Sequence, residues 1–156
     1  MSGVEEVERF IREHGLDVEI LRFDEPVRTV EEAAKRSKAD PSEIVKTMIL
    51  IADDRPIAAI VQGDRRIDLR KLRRVLKADY VRLARPGEVL KLLGIRIGAI
   101  SPLLDSMKRM RCVMDERILM KERILAGGGS EKTLISIRPK DLAEILKPII
   151  ADISKV

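Results

Sequence analysis

The stretch Val45-Lys46-Thr47-Met48-Ile49-Leu50-Ile51-Ala52, followed after Asp53-Asp54-Arg55 by Pro56-Ile57-Ala58-Ala59-Ile60-Val61-Gln62, decides the fold. Both runs are apolar on both parities, the pattern of strands covered on two faces. The Asp-Asp-Arg break predicts a hairpin between two central strands that carry the core. Lys46 interrupts the first run on the side of Met48 and Leu50. A strand there points an ammonium at the apolar face of the sheet, and burial lowers its pKa unless a phosphate or carboxylate answers it. The other reading of the same pattern has Lys46 fraying outward at the strand's edge.

Upstream of the hairpin, Val4, Val7, Phe10 and Ile11 recur at helical spacing, with His14 in the last turn and Gly15 past the end. Asp17 to Phe23 alternates as a strand. Thr29-Val-Glu-Glu32 has the form of a capping box, and Asp40-Pro41-Ser42-Glu43 repeats the device for one further turn. Downstream, Asp68 caps a helix with Leu69, Leu72, Val75 and Leu76 expected inward and Arg70, Lys71, Arg73, Arg74 and Lys77 outward. Tyr80 to Ala84 predicts a strand, Pro86 to Leu93 a helix ended by Gly94, Arg111 to Met114 and Ile118 to Leu125 strands, Leu134 to Ile137 a last strand, and Pro139 to Leu146 a closing helix. Strand pairs joined by tight turns, with helices between and at the ends, give the α+β class with a mixed, strongly curved sheet in a single domain over residues 1–156.

The stretch Gly94-Ile-Arg-Ile-Gly98-Ala-Ile-Ser101-Pro102-Leu-Leu-Asp105 alternates glycine and apolar residues and closes on Ser-Pro. It predicts a strand or strand-like loop lining a pocket, with Ile95, Ile97 and Ala99 on one face and Arg96, Gly98 and Ile100 on the other; a plain structural bend fits the spacing too. Gly127-Gly128-Gly129-Ser130 lacks the lysine spacing of a phosphate-binding loop, and stands either as a flexible turn or as a nest of backbone N–H groups for an anion.

Composition narrows the chemistry. The chain has 31 Lys plus Arg against 26 Asp plus Glu, a formal charge of +5, which suits a polyanionic partner. Between Asp64 and Arg85 nine basic residues face three acidic ones, either a solvated face or a binding surface. With no Trp and only Phe10, Phe23 and Tyr80 as aromatics, base-stacking platforms are nearly unavailable. One histidine and one cysteine, His14 and Cys112, rule out a zinc-type His-Cys set and an internal disulfide, and no cofactor is expected. A single free cysteine, no secretory segment and no apolar run approaching a membrane span predict a soluble cytoplasmic protein with no membrane partner.

Val45-Lys46-Thr47-Met48, Gln62-Gly63-Asp64 leading to Asp68-Leu69-Arg70-Lys71-Leu72, Gly94-xxx-Gly98-xx-Ser101-Pro102 and Ala126-Gly127-Gly128-Gly129 resemble, in the same order, the YbaK family, which is related to the editing domain inserted in bacterial prolyl-tRNA synthetases. The resemblance runs from about Val4 to Ile149. It implies a curved, barrel-like mixed sheet wrapped by helices, and hydrolysis of the ester of a mischarged tRNA, chiefly prolyl tRNA carrying a small amino acid such as alanine or cysteine. It places Lys46 in the pocket, has Gly94, Gly98, Ser101 and Pro102 shape that pocket, and has Gly127, Gly128 and Gly129 contribute backbone groups. Two departures stand out: Leu104 where many members have glycine, and Ala126 where thiol-releasing members have serine.

An aminoacyl ester is already activated, so positioning a water and donating hydrogen bonds to the developing oxyanion suffice. On this expectation Lys46 anchors the terminal phosphate or polarises the ester, N–H groups near Gly98 or the Gly127–Gly129 turn hold the oxyanion, and Ser101 holds the water. Met48, Pro102 and the glycines then exclude larger amino acids, and Arg65, Arg66, Arg70, Arg73 and Arg74 meet the acceptor end of the tRNA. A synthetase is a further candidate partner. The rival readings are a noncatalytic module that binds tRNA or a protein partner on the same fold, and a small-molecule binding protein for which the basic helix is incidental.

Overall fold

The computed structural model describes residues 1–156. Helix α1 (Gly3–His14) starts at a reciprocal Ser2–Glu5 capping box and ends at Gly15, whose φ of 59° is the left-handed conformation glycine adopts without strain. Strand β1 (Glu19–Arg22) leads to α2 (Val30–Ser37), where the Thr29 hydroxyl accepts the Glu32 N–H at 3.0 Å. The reciprocal half of that box is missing, because the Glu32 carboxylate lies 4.0 Å from Arg36 one turn on. Asp40 and Glu43 make both halves of theirs around the 3₁₀ turn Pro41–Glu43, which delivers the chain into β2 (Val45–Ala52). Asp53 and Asp54, at φ 47° and 67°, then turn it back into β3 (Arg55–Gln62), the two-residue hairpin that matches the twist of paired strands.

The short β4 (Arg66–Ile67) precedes α3 (Leu69–Leu76), β5 (Val81–Leu83) and α4 (Pro86–Leu93). After these come α5 (Asp105–Arg109), β6 (Arg111–Asp115), β7 (Ile124–Gly127), β8 (Thr133–Ile137), α6 (Pro139–Leu146), β9 (Ile149–Ala151) and β10 (Ser154–Lys155). The central sheet has the order β5-β2-β3-β6-β9, antiparallel through the hairpin and parallel across β3, β6 and β9, so it is mixed. A three-stranded antiparallel sheet β1-β8-β7 meets it through one parallel bridge, Ile44 to Leu125, and β10 pairs with β4 apart from both. The mixed sheets wrapped by helices match the expected class, without closing into a barrel: β5 and β9 remain free edges, and a single bridge replaces a ladder between the sheets.

The hairpin is apolar on both parities because each face has its own core. Val45, Ile49 and Ile51 pack with Phe10, Leu103, Met114 and Ile135 on one face; Leu50, Ala59 and Val61 pack with Leu72, Leu76 and Val113 on the other, beneath α3.

Three segments differ from the sequence-based expectation. Residues 94–105 form no strand: Gly94, at φ 68°, caps α4, and Ile97–Ala99 is a 3₁₀ turn in which Ala99 N–H bonds Arg96 O and Ile100 N–H bonds Ile97 O. Local hydrogen bonds there replace a neighbouring strand, so the two-faced alternation does not exist. Residues 118–123 are likewise not strand, because the Asp115 carboxylate accepts the Arg117 N–H and starts the 3₁₀ turn Glu116–Met120; the strand begins only at Ile124. β8 is not the last strand, since β9 and β10 follow α6. No helix is long and apolar enough to cross a membrane.

Candidate functional site

Lys46 lies opposite Val61 on β2 and shares the α3 side of the sheet with Met48 and Leu50. Its ammonium donates to the Arg65 carbonyl at 2.9 Å and opens on a cleft of about 720 Å³ lined also by Met48, Arg66, Asp68, Leu69, Arg70 and Lys155. Burial pushes the Lys46 pKa below the ordinary lysine value, and the nearby Asp64 carboxylate only partly offsets it. Asp68, the one carboxylate in that lining, is occupied as the N-cap of α3, accepting the Arg70 and Lys71 N–H groups at 3.0 and 3.2 Å. Those bonds, the Lys71 N–H foremost, hold its pKa below the usual carboxylate range. Lys46, Arg66, Arg70 and Lys155 form no ion pair, so the cleft is cationic. Leu83, the last residue of β5, lines it too, and the cleft therefore reaches the edge of β2.

That edge is only partly paired. β5 pairs with β2 only over Leu50–Ala52, the Ala84 N–H bonds Ile49 O, and β7, though it runs beside β2, makes its one β-bridge at Ile44. Because Ile49 turns its polar groups away from β3, Thr47, two residues back, aims its own N–H and C=O at the same open edge. The Thr47 hydroxyl is buried and has no hydrogen-bond partner.

The carbonyl that holds Lys46 is itself held. Arg65 donates to the Ser154 hydroxyl and carbonyl at 2.8 and 3.3 Å, and Lys71 donates to the same carbonyl at 2.8 Å. Asp152 bridges Lys71 and Arg117 at 3.0 and 2.7 Å, with its pKa held at about 2 by Arg117 first and Lys71 second. Burial pushes the Asp115 carboxyl up, but the N–H groups of Arg117 and Ile153, the Ser154 hydroxyl and the Arg117 guanidinium outweigh it and leave its pKa lowered. The chain end is thereby strapped to β4, α3 and β6.

The glycine-rich segments lie on the other side of β2, where Ile100, Leu103, Leu104 and Ala126 pack with Val45 and Ile49. A Cβ at Gly127 would collide with the Ile100 carbonyl, so this glycine lets the 97–102 loop sit directly on the β7–β8 turn. Gly128 donates its N–H to Thr133 O at 3.0 Å, and Gly129, at φ 97°, packs on the backbone of Gly3. Ser101 is fully buried and its hydroxyl accepts the Leu103 N–H at 3.2 Å, while Gly98 faces the Glu131 carboxylate.

The structure thus brings Lys46, Met48, Arg66 and Arg70 together in one cleft, and Gly98, Ser101, Pro102 and Gly127–Gly129 together across the strand from it; Gly94 ends α4. Arg73 and Arg74 stand exposed on α3, and the Arg65 guanidinium is engaged by Ser154. Leu69, expected inward, is 36% exposed and walls the cleft instead. Thr47 escaped sequence reasoning; a hydroxyl inside an otherwise apolar central strand was its only signal. A cavity of about 780 Å³ lies at the far end of the hairpin, with Arg55, Arg109 and Arg111 in its wall. Outside the cleft, His14 stacks on Phe10 at the end of α1, and Cys112 is buried in β6, where desolvation pushes its thiol up to about 12.

Comparison with known proteins agrees with this architecture. The proline–tRNA ligase of Thermotoga neapolitana is 36% identical over 107 residues, 69% of this chain and 18% of the ligase, and that of Caldicellulosiruptor saccharolyticus is 31% identical over 130 residues, 83% of this chain and 22% of the ligase. The chain spans about a fifth of the length of these ligases. Among solved structures, a hypothetical protein superposes with a TM-score of 0.89 at 33% identity, covering 96% of this chain and 99% of that one. A candidate trans-editing enzyme for prolyl tRNA synthetase superposes with a TM-score of 0.90 at 25% identity, covering 100% and 99%. Residues 24–145 match the aminoacyl-tRNA editing domain, which takes in most of the chain, the hairpin, the glycine loops and every cleft residue but Lys155, and the chain belongs to that family.

Proposed function

We propose that this protein hydrolyses the ester of a mischarged tRNA, releasing a small amino acid such as alanine or cysteine from prolyl tRNA. The observation that carries the reading is the cationic cleft at Lys46, beside the unpaired stretch of the β2 edge, in a chain of the editing-domain family. The terminal adenosine and its phosphate occupy the cleft, where the Lys46 ammonium, fixed by the Arg65 carbonyl, answers the phosphate charge. The aminoacyl group crosses the edge of β2 toward Thr47 and the Gly98–Pro102 loop. A water oxygen attacks the ester carbonyl, the bond to the ribose oxygen breaks, and that oxygen takes a proton, leaving free amino acid and intact tRNA.

Backbone N–H groups at the open edge and around Gly98 serve as donors to the oxyanion, a task that asks for no strong nucleophile. None is at hand: the Cys112 thiol is buried and neutral, and His14 is tied to the Phe10 carbonyl at 2.9 Å. The loop carrying Pro102 limits the size of the amino acid, since a methylene is worth only about 1–3 kcal/mol in binding and exclusion must supply the rest.

The test is deacylation of prolyl tRNA charged with alanine, cysteine or proline, with wild type beside Lys46→Ala. Expected is release of one small amino acid well above buffer, and a loss of roughly 100-fold in Lys46→Ala, the scale of removing one preorganised donor. Binding of tRNA by the wild type with no ester hydrolysed faster than in buffer would overturn the enzyme and leave a binding module.

A further inference from the structure

Helix α3 borders a second cleft, of about 460 Å³, lined by Arg70, Arg73 and Arg74 of the helix and by Asp79 and Tyr80 beyond it. It shares Leu69 and Arg70 with the Lys46 cleft, so the two are contiguous. None of the Arg70, Arg73 and Arg74 guanidiniums meets a carboxylate or any other protein acceptor, in contrast to Arg82 nearby, which is paired with Glu88 at 2.8 Å. Asp79 brings a single opposing charge, so cations dominate the lining.

Tyr80 is 58% exposed, and its hydroxyl makes no hydrogen bond within the protein. The other aromatics are not available: Phe10 is fully buried, and Phe23 packs with Leu21 against the smallest core cluster. The mount of Tyr80 is rigid nonetheless. Its N–H donates to the Asp53 carboxylate at 3.0 Å, its carbonyl accepts the Asp53 N–H at 3.0 Å, and the Asp79 N–H meets both oxygens of the same carboxylate at 3.1 Å. A hairpin tip thus holds an otherwise idle aromatic ring beside free guanidiniums.

We infer that this cleft is a subsite for one unpaired RNA nucleotide, its base stacked on the Tyr80 ring and its phosphates held by Arg73 and Arg74, with Arg70 handing the strand on to the Lys46 cleft. A base stacks on an aromatic face only when it is splayed from a helix, and base–aromatic stacking combined with a cationic groove is how single strands are held without sequence readout. The inference rests on the preceding proposal that the Lys46 cleft takes the end of a tRNA, and adds the nucleotide next to the terminal one as a ligand of this chain.

Because the chain has one Tyr and no Trp, its intrinsic emission reports on Tyr80 alone. The experiment titrates the protein with uncharged cytidylyl-cytidylyl-adenosine and with a blunt RNA duplex of equal phosphate count, correcting for nucleotide absorbance with free tyrosinamide. Expected is saturable quenching by the trinucleotide and not by the duplex. Anisotropy of a labelled trinucleotide then shows about 10-fold weaker binding for Tyr80→Ala, near wild-type binding for Tyr80→Phe, and loss for Arg73→Glu combined with Arg74→Glu. Circular dichroism confirms that these surface variants fold. Unquenched emission at saturation, wild-type affinity in Tyr80→Ala, equal quenching by the duplex, or no trinucleotide binding at all would each overturn the subsite. Since the RNA is uncharged, the subsite stands or falls apart from hydrolysis: quenching without deacylation sinks only the enzyme, and deacylation with a silent Tyr80 sinks only the subsite.

Discussion

At Gly127 a single methyl group is enough to separate two segments, because the Ile100 carbonyl occupies the place where a Cβ would stand. Both atoms belong to backbone, which cannot swing aside as a side chain does. Gly127→Ala is therefore expected to lift the 97–102 loop off the β7–β8 turn at a cost of about 1–3 kcal/mol, measured as a lower urea midpoint with an unchanged slope. An unshifted midpoint would show that the loop is not seated on this glycine. Leu104 and Ala126, the two departures from the family pattern, are both fully buried in the larger core. At those positions the chain has apolar packing groups. Lys46 was legible from alternation alone, since a residue two places from Met48 on a strand must share its face; Thr47 was not, because nothing in a sequence says that one edge of a strand stays unpaired.

The elements that local chemistry dictates were legible: the Asp40 and Asp68 caps, the Gly15 stop and the hairpin all depend on groups within a few residues of one another. The strap formed by β9, the Asp152 turn and β10 was not, because a two-residue strand such as Ser154–Lys155 exists only by pairing with Ile67 and Arg66, far away in sequence. Residues 94–105 depart from strand for the opposite reason: their alternating pattern is satisfied by turns bonded to themselves. The strap has a pH signature. Asp152 has a folded-state pKa of about 2, below the roughly 3.9 of an unfolded aspartate, so the stability it contributes is complete above the unfolded value and is lost as pH falls through the folded one. Asp152→Asn is expected to cost about 1 kcal/mol near neutrality, a modest figure because the carboxylate is partly solvated, and the gap to wild type should close toward pH 2. Thermal melts of both proteins across that range check this; a gap that persists in acid would assign the loss to shape and not to charge.

Over the whole molecule, the two clefts of α3 stand out for their unpaired positive charge. Cations without partners gather along α3 and its two clefts, while many of the others, such as Arg82, Arg117 and Arg138, are tied to carboxylates. Affinity for tRNA should therefore fall steeply with salt, and replacing Arg70 or Arg74 by alanine should lower the log–log salt slope by about 0.7–0.9 each, against no change for Arg138→Ala. Equal slopes in all three variants would place the RNA on another face. The net charge and the basic run were visible in composition, but the placing of that run around the two clefts depends on which way α3 lies, and that is settled by the second core beneath Leu72 and Leu76.

The single cysteine, sealed in β6 at 4% exposure with its thiol raised to about 12, makes the native protein inert to alkylating reagents while the sheet stays closed. A cysteine introduced at any exposed position can thus carry a fluorophore or spin label with the native one left in place. The rate at which Cys112 itself is eventually modified becomes a clock for how often β6 opens, readable by mass spectrometry without any mutation.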